Sequence, residues 1–296
     1  MRKFYPAFII PVCIALMGLN ACKTKEVMIP SYLYIKPAVF TTKADLSQGQ
    51  ASATINDIWV FENEVVRGNF ALKTTIPIQR EGQTTIRISP GIKHSGNSEQ
   101  RVIYPMYTTF VKPVNLVPNQ VDTLEPSFTY VENTVFPLKE DFESSGFAFE
   151  YNPQYKQTGD SIISDNGLDA WLPGKTSGKV VLNSGIDKTV LEIYSQVFKN
   201  LPRASPIYLE IDYKCNVPFV FGLYATDLTG NTSKIPVYVI NEKSNWNKIY
   251  FNLDFEIASR PAGTSFRFFF QFRNSLENPV PSPNIWLDNI KIVYLD

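Results

Sequence analysis

One histidine and three cysteines in 296 residues leave little material for metal or redox chemistry. His94 stands alone in the polar turn Lys93-His94-Ser95-Gly96-Asn97, so a zinc site built on several histidines has no ligands. A Ser-His-Asp relay would have to run through that single residue. Cys13 lies within the leading apolar segment and Cys22 closes it, which leaves Cys215 without a disulfide partner. Cys215 ends the alternating run from Tyr208, a pattern that fits a buried, unreactive thiol. Excess charge is missing too. With 28 basic and 28 acidic residues the chain has no concentrated basic field, which argues against nucleic acid or an anionic lipid surface as main partner. A Gly-rich phosphate loop, a metal-hydrolase histidine pair and a nucleophile elbow are absent. No sequence signal places two carboxylates across a cleft, so the chain reads as non-catalytic.

What is abundant points to β-structure. Aromatic residues make up 14% of the chain, with 21 Phe and 15 Tyr, and there are 21 Pro. Frequent aromatic and β-branched residues with few long helical patterns predict an all-β protein. In the first half the expected strands are Tyr32 to Ile35, Ile55 to Phe61, Val65-Val66, Phe70 to Ile78, Thr84 to Ile88, Tyr104 to Phe110 and Asp122 to Leu124. Gly68-Asn69, Glu81-Gly82 and Pro90-Gly91 read as turns between them. The second half opens near Leu138 and runs through a partly polar section to Gly178. Strands are then expected at Val180 to Leu182, Val190 to Tyr194, Ile207 to Tyr213 and Phe219 to Tyr224. Four more follow at Ile235 to Ile240, Trp246 to Leu253, Ser265 to Phe272 and Ile285 to Tyr294. The expected class is two tandem antiparallel β-sandwiches, a small one and then a jelly roll. Phe266, Phe268, Phe269, Phe270 and Phe272 crowd one segment, which therefore belongs to a central, buried strand.

The first 22 residues have a separate logic. Arg2 and Lys3 precede an apolar run of about 15 residues that ends at Leu19-Asn20-Ala21-Cys22. That run suits a signal peptide and is short for a membrane span. The order Leu, variable, small, Cys resembles a lipobox, which implies that Cys22 takes a diacylglycerol and becomes the mature N-terminus. Losing residues 1 to 21 removes Arg2 and Lys3 and leaves the mature chain at −2. Expected boundaries are 1–21 for the signal peptide, 22–30 for a lipidated tether, 31–132 for the first sandwich and 133–296 for the second.

Residues 133–296 resemble carbohydrate-binding modules of the galactose-binding-like jelly-roll type. The likeness rests on Glu140-Asp141-Phe142-Glu143, on Asn245 to Leu253, and on Ile285-Trp286-Leu287-Asp288-Asn289-Ile290-Lys291-Ile292. It implies a structural calcium ion held where the first and last strands meet, with Glu140, Glu143 and Asp288 as oxygen donors and Asp141 less central. The first half resembles an immunoglobulin-like or transthyretin-like sandwich found in lipoproteins of the Bacteroidota. Ile55 to Phe61, Thr75 to Ile78, Ser89 to Gly96, Gly82 and Tyr104 to Tyr107 carry that likeness. It implies an outer-membrane lipoprotein, lipid-anchored, at the cell surface in preference to the periplasmic face. Lys23-Thr24-Lys25-Glu26 is nevertheless a poor acidic surface tag.

Sugar binding needs open aromatic planes, because the apolar face of a pyranose stacks on Trp or Tyr. Trp171, Tyr155, Tyr151 and Tyr224 lie where strand patterning weakens and are the candidate ligand-binding residues; Trp171 in its turn-flanked loop can equally plug the end of the core. Trp59, Trp246 and Trp286 fall within strand patterns and read as core. Two functions follow from a rigid β-platform that displays loops: a glycan-binding lipoprotein, or an interaction subunit of an outer-membrane assembly for secretion, gliding or barrel insertion. Aligned solvent-facing aromatics favour the first; a broad apolar patch without a groove favours the second.

Overall fold

A computed structural model describes residues 28–156, 158–182, 190–275, 277 and 279–296. The leading apolar segment with Cys13 and Cys22 lies outside them. Among the described residues no helix is long and apolar enough to cross a membrane.

The first half contains β1 (Ser31–Ile35), β2 (Val39–Phe40), β3 (Asp57–Glu62), β4 (Val65–Phe70) and β5 (Thr74–Ile78). It continues with β6 (Gly82–Lys93), β7 (Arg101–Ile103), β8 (Phe110–Leu116), β9 (Val121–Leu124) and β10 (Ser127–Phe128). One sheet has the order β4-β3-β6, with β7 and β8 side by side along the far edge of β6; the opposing strands are β5-β1-β9 and the β2–β10 pair. Leu33 and Ile35 of β1 meet Ile58, Val60, Ile86 and Ile88 from the facing sheet, so alternate residues of each strand fill one core. Two pairings, β1 with β9 and β2 with β10, are parallel, because the chain returns to its first strands only after crossing the whole sandwich.

Pro90 and Gly91 do not make the expected turn. They lie inside β6, which continues to Lys93. Gly91 is required there by a close approach: a Cβ would fall 1.8 Å from Asp57 Oδ1. Tyr104 to Phe110 is not a strand either. Tyr104, Met106 and Tyr107 are buried in a turn whose one ladder contact among the described residues is the Tyr107–Tyr130 bridge.

The second half begins with β11 (Thr134–Glu140), β12 (Phe149–Tyr151), β13 (Ser161–Asp165), β14 (Ser177–Val181), β15 (Val190–Ser195) and β16 (Ile207–Cys215). It ends with β17 (Phe219–Thr226), β18 (Thr232–Ile240), β19 (Lys243–Asn252), the single-turn helix α1 (Asp254–Ala258), β20 (Ser265–Arg273) and β21 (Ile285–Leu295). Its sheets are β13-β14-β21-β16-β19, with β11 also on β21, and β12-β15-β20-β17-β18. As the phenylalanine run requires, β20 is central, and all five of its phenylalanines are buried. Cys215 is buried and free, and burial pushes its thiol up to about 11.

The two halves share a third core of Ile92, Tyr104, Met106, Tyr107, Tyr130, Tyr208, Tyr250 and Val293. Buried Glu210 of β16 sits within it. It accepts from Tyr104 OH at 2.7 Å and Tyr130 OH at 2.8 Å, with Lys248 Nζ at 3.4 Å. Desolvation, then the Glu210 charge, pushes both phenols well above their ordinary range. Lys291 Nζ donates to Gln50 O at 2.9 Å, and Ser52 Oγ donates to Asp212. Hydrogen bonds of this kind between the halves fix orientation because any slip would leave a buried charged group unpaired.

Candidate functional site

Strand alternation in the five-stranded sheet sends Phe219, Phe221, Leu223, Phe268 and Phe270 into the core. It turns Val220, Gly222 and Tyr224 of β17 outward, with Arg267, Phe269 and Gln271 of β20 and Glu192 and Tyr194 of β15. The outward face is organised on Glu192, whose side chain is fully buried. Its Oε1 accepts from Tyr224 OH at 2.5 Å and Asn152 Nδ2 at 2.6 Å. Its Oε2 accepts from Lys234 Nζ at 2.5 Å and Gln271 Nε2 at 3.0 Å. Four donors around one carboxylate satisfy a charge that would otherwise be costly to bury. Desolvation, followed by the bond to Glu192, raises the Tyr224 phenol.

Gly222 makes this packing possible. A Cβ there would lie 2.4 Å from both the Phe269 ring and Ile235 O, so the ring lies against bare backbone. Above it Lys234 Nζ is 4.9 Å from the Phe269 centroid and 4.3 Å from that of Tyr155. Tyr155 reaches this position on a turn after β12, where Tyr155 N and Lys156 N both donate to Asn152 O. Beside it Arg267 covers the Tyr194 ring at 4.1 Å and bonds Glu150 at 3.1 Å.

At the other end of this face lies a cavity of about 570 Å³. Val220 and Val239 form an apolar wall directly beside the Gln271–Glu192 pair in the sheet register; Arg273, Glu242 and Glu277 supply charge at its margin. Asn274 clasps the bordering loop through two 2.9 Å bonds, to Val280 O and from Val280 N. The volume and the apolar wall with a few polar groups match what small-molecule sites require.

Of the expected ligand residues, Tyr155 and Tyr224 are brought together across Lys234. Tyr151 is not part of that group: it pairs with inward-facing Ile193, packs against the core, and its hydroxyl accepts from Ile162 N at 2.8 Å. Trp171 lies in the loop that leads into β14 of the other sheet. Its N–H donates to Ser177 Oγ of β14 at 2.9 Å, and the loop before it is stitched down by Trp246 Nε1 to Asp169 O and Trp286 Nε1 to Asp165. Trp286 is buried between Lys179 and Lys214, whereas Trp59 and Trp246 are half-buried. The cavity and the role of Glu192 were missed in the sequence; Leu191-Glu192-Ile193, one acid inside a strongly apolar strand, was the available signal.

Glu140, Glu143 and Asp288 accept from protein donors. Glu140 takes Phe142 N at 2.8 Å and Ala148 N at 2.6 Å, Glu143 takes Thr176 N at 3.0 Å, and Asp288 takes Ser177 Oγ at 2.6 Å and Asn289 N at 2.7 Å. Among the described residues no group of three or more Asp, Glu, His or Cys is placed to hold a metal ion. Burial pushes the Asp288 carboxyl up to about 7, against the lowering effect of its bonds from Ser177 and Asn289.

No family model and no curated protein matches the chain. Among solved structures it is similar to a xylan-binding domain from carbohydrate-binding module family 22, with 12% identity over 54% of this chain and 94% of that one, at a TM-score of 0.37. It is also similar to the family 11 module from Clostridium thermocellum in complex with a β-1,3-1,4-mixed-linked tetrasaccharide. There the identity is 12% over 52% of this chain and 93% of that one, at a TM-score of 0.36. The enzymatically active domain of tailspike protein 4 from bacteriophage CBA120 gives 14% identity over 52% of this chain, at a TM-score of 0.38. The chain spans 20% of that domain's length. Similarity at this level assigns neither ligand nor activity.

Proposed function

We propose that the chain is a non-catalytic binding protein, anchored in the outer membrane by an acylated Cys22, that holds a glycan on the outward face of its five-stranded sheet. The observation that carries the reading is the continuity of one face: the 570 Å³ cavity walled by Val220 and Val239 adjoins the Glu192 network, which leads to Tyr155 and Tyr224. Half-buried tyrosines offer planes for a pyranose, and Arg273 and Glu242 offer hydrogen-bond partners for its hydroxyls. Binding rather than turnover is favoured because the buried carboxylates Glu192 and Glu210 are turned to donors of the protein itself rather than facing each other across a cleft.

A glycan array probed with the purified protein tests this reading. Binding lost in Tyr155→Ala and retained in Trp171→Ala is expected. The reverse pattern would move the site to the opposite sheet, and no binding to any glycan would reject the glycan. The anchor is checked separately: Cys22→Ala is expected to leave the membrane fraction.

A further inference from the structure

We infer that the end of the first sandwich where the chain enters it, ringed by Met28, Ile29, Val65, Val66 and Val121, seats against the phospholipid surface that holds the N-terminus. The inference rests on acylation of Cys22 and adds an orientation to it. Eight residue steps separate Cys22 from Pro30, and a fully extended chain of that length spans about 28 Å at most. This end of the fold is therefore held near the bilayer whatever path the tether takes.

Contacts place the ring at one end. Ser31 Oγ donates to Arg80 O at 2.9 Å, and Arg80 pairs with Glu62 at 3.1 Å; Glu62 closes the β3–β4 hairpin opposite Val65. Asn119 N donates to Pro30 O at 2.9 Å, and Val121 pairs with Tyr32. Pro30 and Arg67, next to Val66, line one cavity of about 360 Å³ together with Phe70, Ile76 and Ile78. The five apolar side chains are each 52–59% exposed, an unusual concentration around a point of chain entry.

Charge does not decide the contact. Arg67 and Arg80 pair with Glu62 and Arg87 pairs with Glu64, and Glu81 adds a further acid next to Arg80 in the chain. With the two signs balanced, apolar insertion at the headgroup boundary is the favourable contribution, added to the anchoring that the diacylglycerol itself supplies.

The orientation has a consequence for the ligand face. Strand β6 runs from Gly82, paired with Leu116 at this end, to Ile92 in the core shared with the jelly roll. The jelly roll is thus carried on the membrane-distal end.

The test uses the full-length lipidated protein in phosphatidylcholine vesicles containing brominated lipid. A fluorophore is placed at Val66→Cys or, as the distal control, at Val239→Cys. Quenching several-fold stronger at 66 than at 239 is expected, and it should fall to the level at 239 when Val65→Asp and Ile29→Asp are added. Equal or reversed quenching in protein whose N-terminal diacylglycerol is verified by mass would overturn the orientation and leave the anchor standing. A mature N-terminus without the acyl group would overturn both.

Discussion

At the scale of single residues, buried acids carry most of the testable chemistry. Asp288 has a folded-state pKa of about 7 against an ordinary value of 3.8. Below about pH 4 it is protonated in folded and unfolded chains and favours neither. Between there and pH 7 the unfolded chain ionises first, so folding weakens as pH rises, by about 4 kcal/mol at most, and the loss is complete above pH 7. Asp288→Asn, followed by urea unfolding at several pH values, is expected to gain stability over the parent across that window and to plateau beyond it. Glu192 is a different case, a buried carboxylate that accepts from four donors. Glu192→Ala strands Lys234 and Tyr224 and is expected to cost about 3 to 5 kcal/mol in chemical denaturation; a change below about 1 kcal/mol would mean the network is ornamental. Tyr155 was legible as a candidate because it stood outside apolar alternation, and Tyr224 because it closes an expected strand. Tyr151 satisfied the same criterion as Tyr155 but faces the core, since one residue along a strand reverses the face.

The elements were most readable where the pattern was strongest. Strands β15 to β21 of the jelly roll lie close to the expected segments, because each is a long apolar run between turn residues. Strand β8 was missed: most of its outward positions are exposed, and Pro113 weakens a strand reading, yet Pro is tolerated there because β8 pairs only with β6. Short strands β12 and β13 were hidden in the polar section before Gly178, where half-exposed edges leave little alternation to read. Pro90-Gly91 looked like a turn by composition, and only the approach of Asp57 explains a glycine within β6. Gly222 is the corresponding position in β17. Gly222→Ala drives a methyl into Ile235 O and the Phe269 ring, and thermal melting is expected to register a loss of about 1 to 3 kcal/mol. A neutral substitution there would show that the ring does not depend on bare backbone.

For the whole molecule, the decisive feature was invisible in sequence: the two sandwiches are locked by tyrosines and a buried carboxylate drawn from distant segments. Tyr104 and Tyr130 come from the first half and Glu210 from the second, so no local pattern could announce them. The parent is expected to unfold in one calorimetric transition. Replacing both tyrosines by Phe removes two bonds to a charged acceptor, each worth about 1.5 to 3 kcal/mol, and should split that transition in two. A single unshifted transition would deny the lock. The locked joint gives the ligand face a fixed bearing on the rest of the chain, and whether that face binds at all is the question on which the functional account turns. Isothermal titration of the best array glycan into the parent and into Val239→Trp, an exposed wall position where an indole would fill the cavity, answers it most directly. Affinity lost in Val239→Trp with an unchanged melting temperature is the expected result; undiminished affinity would contradict the assignment of the site.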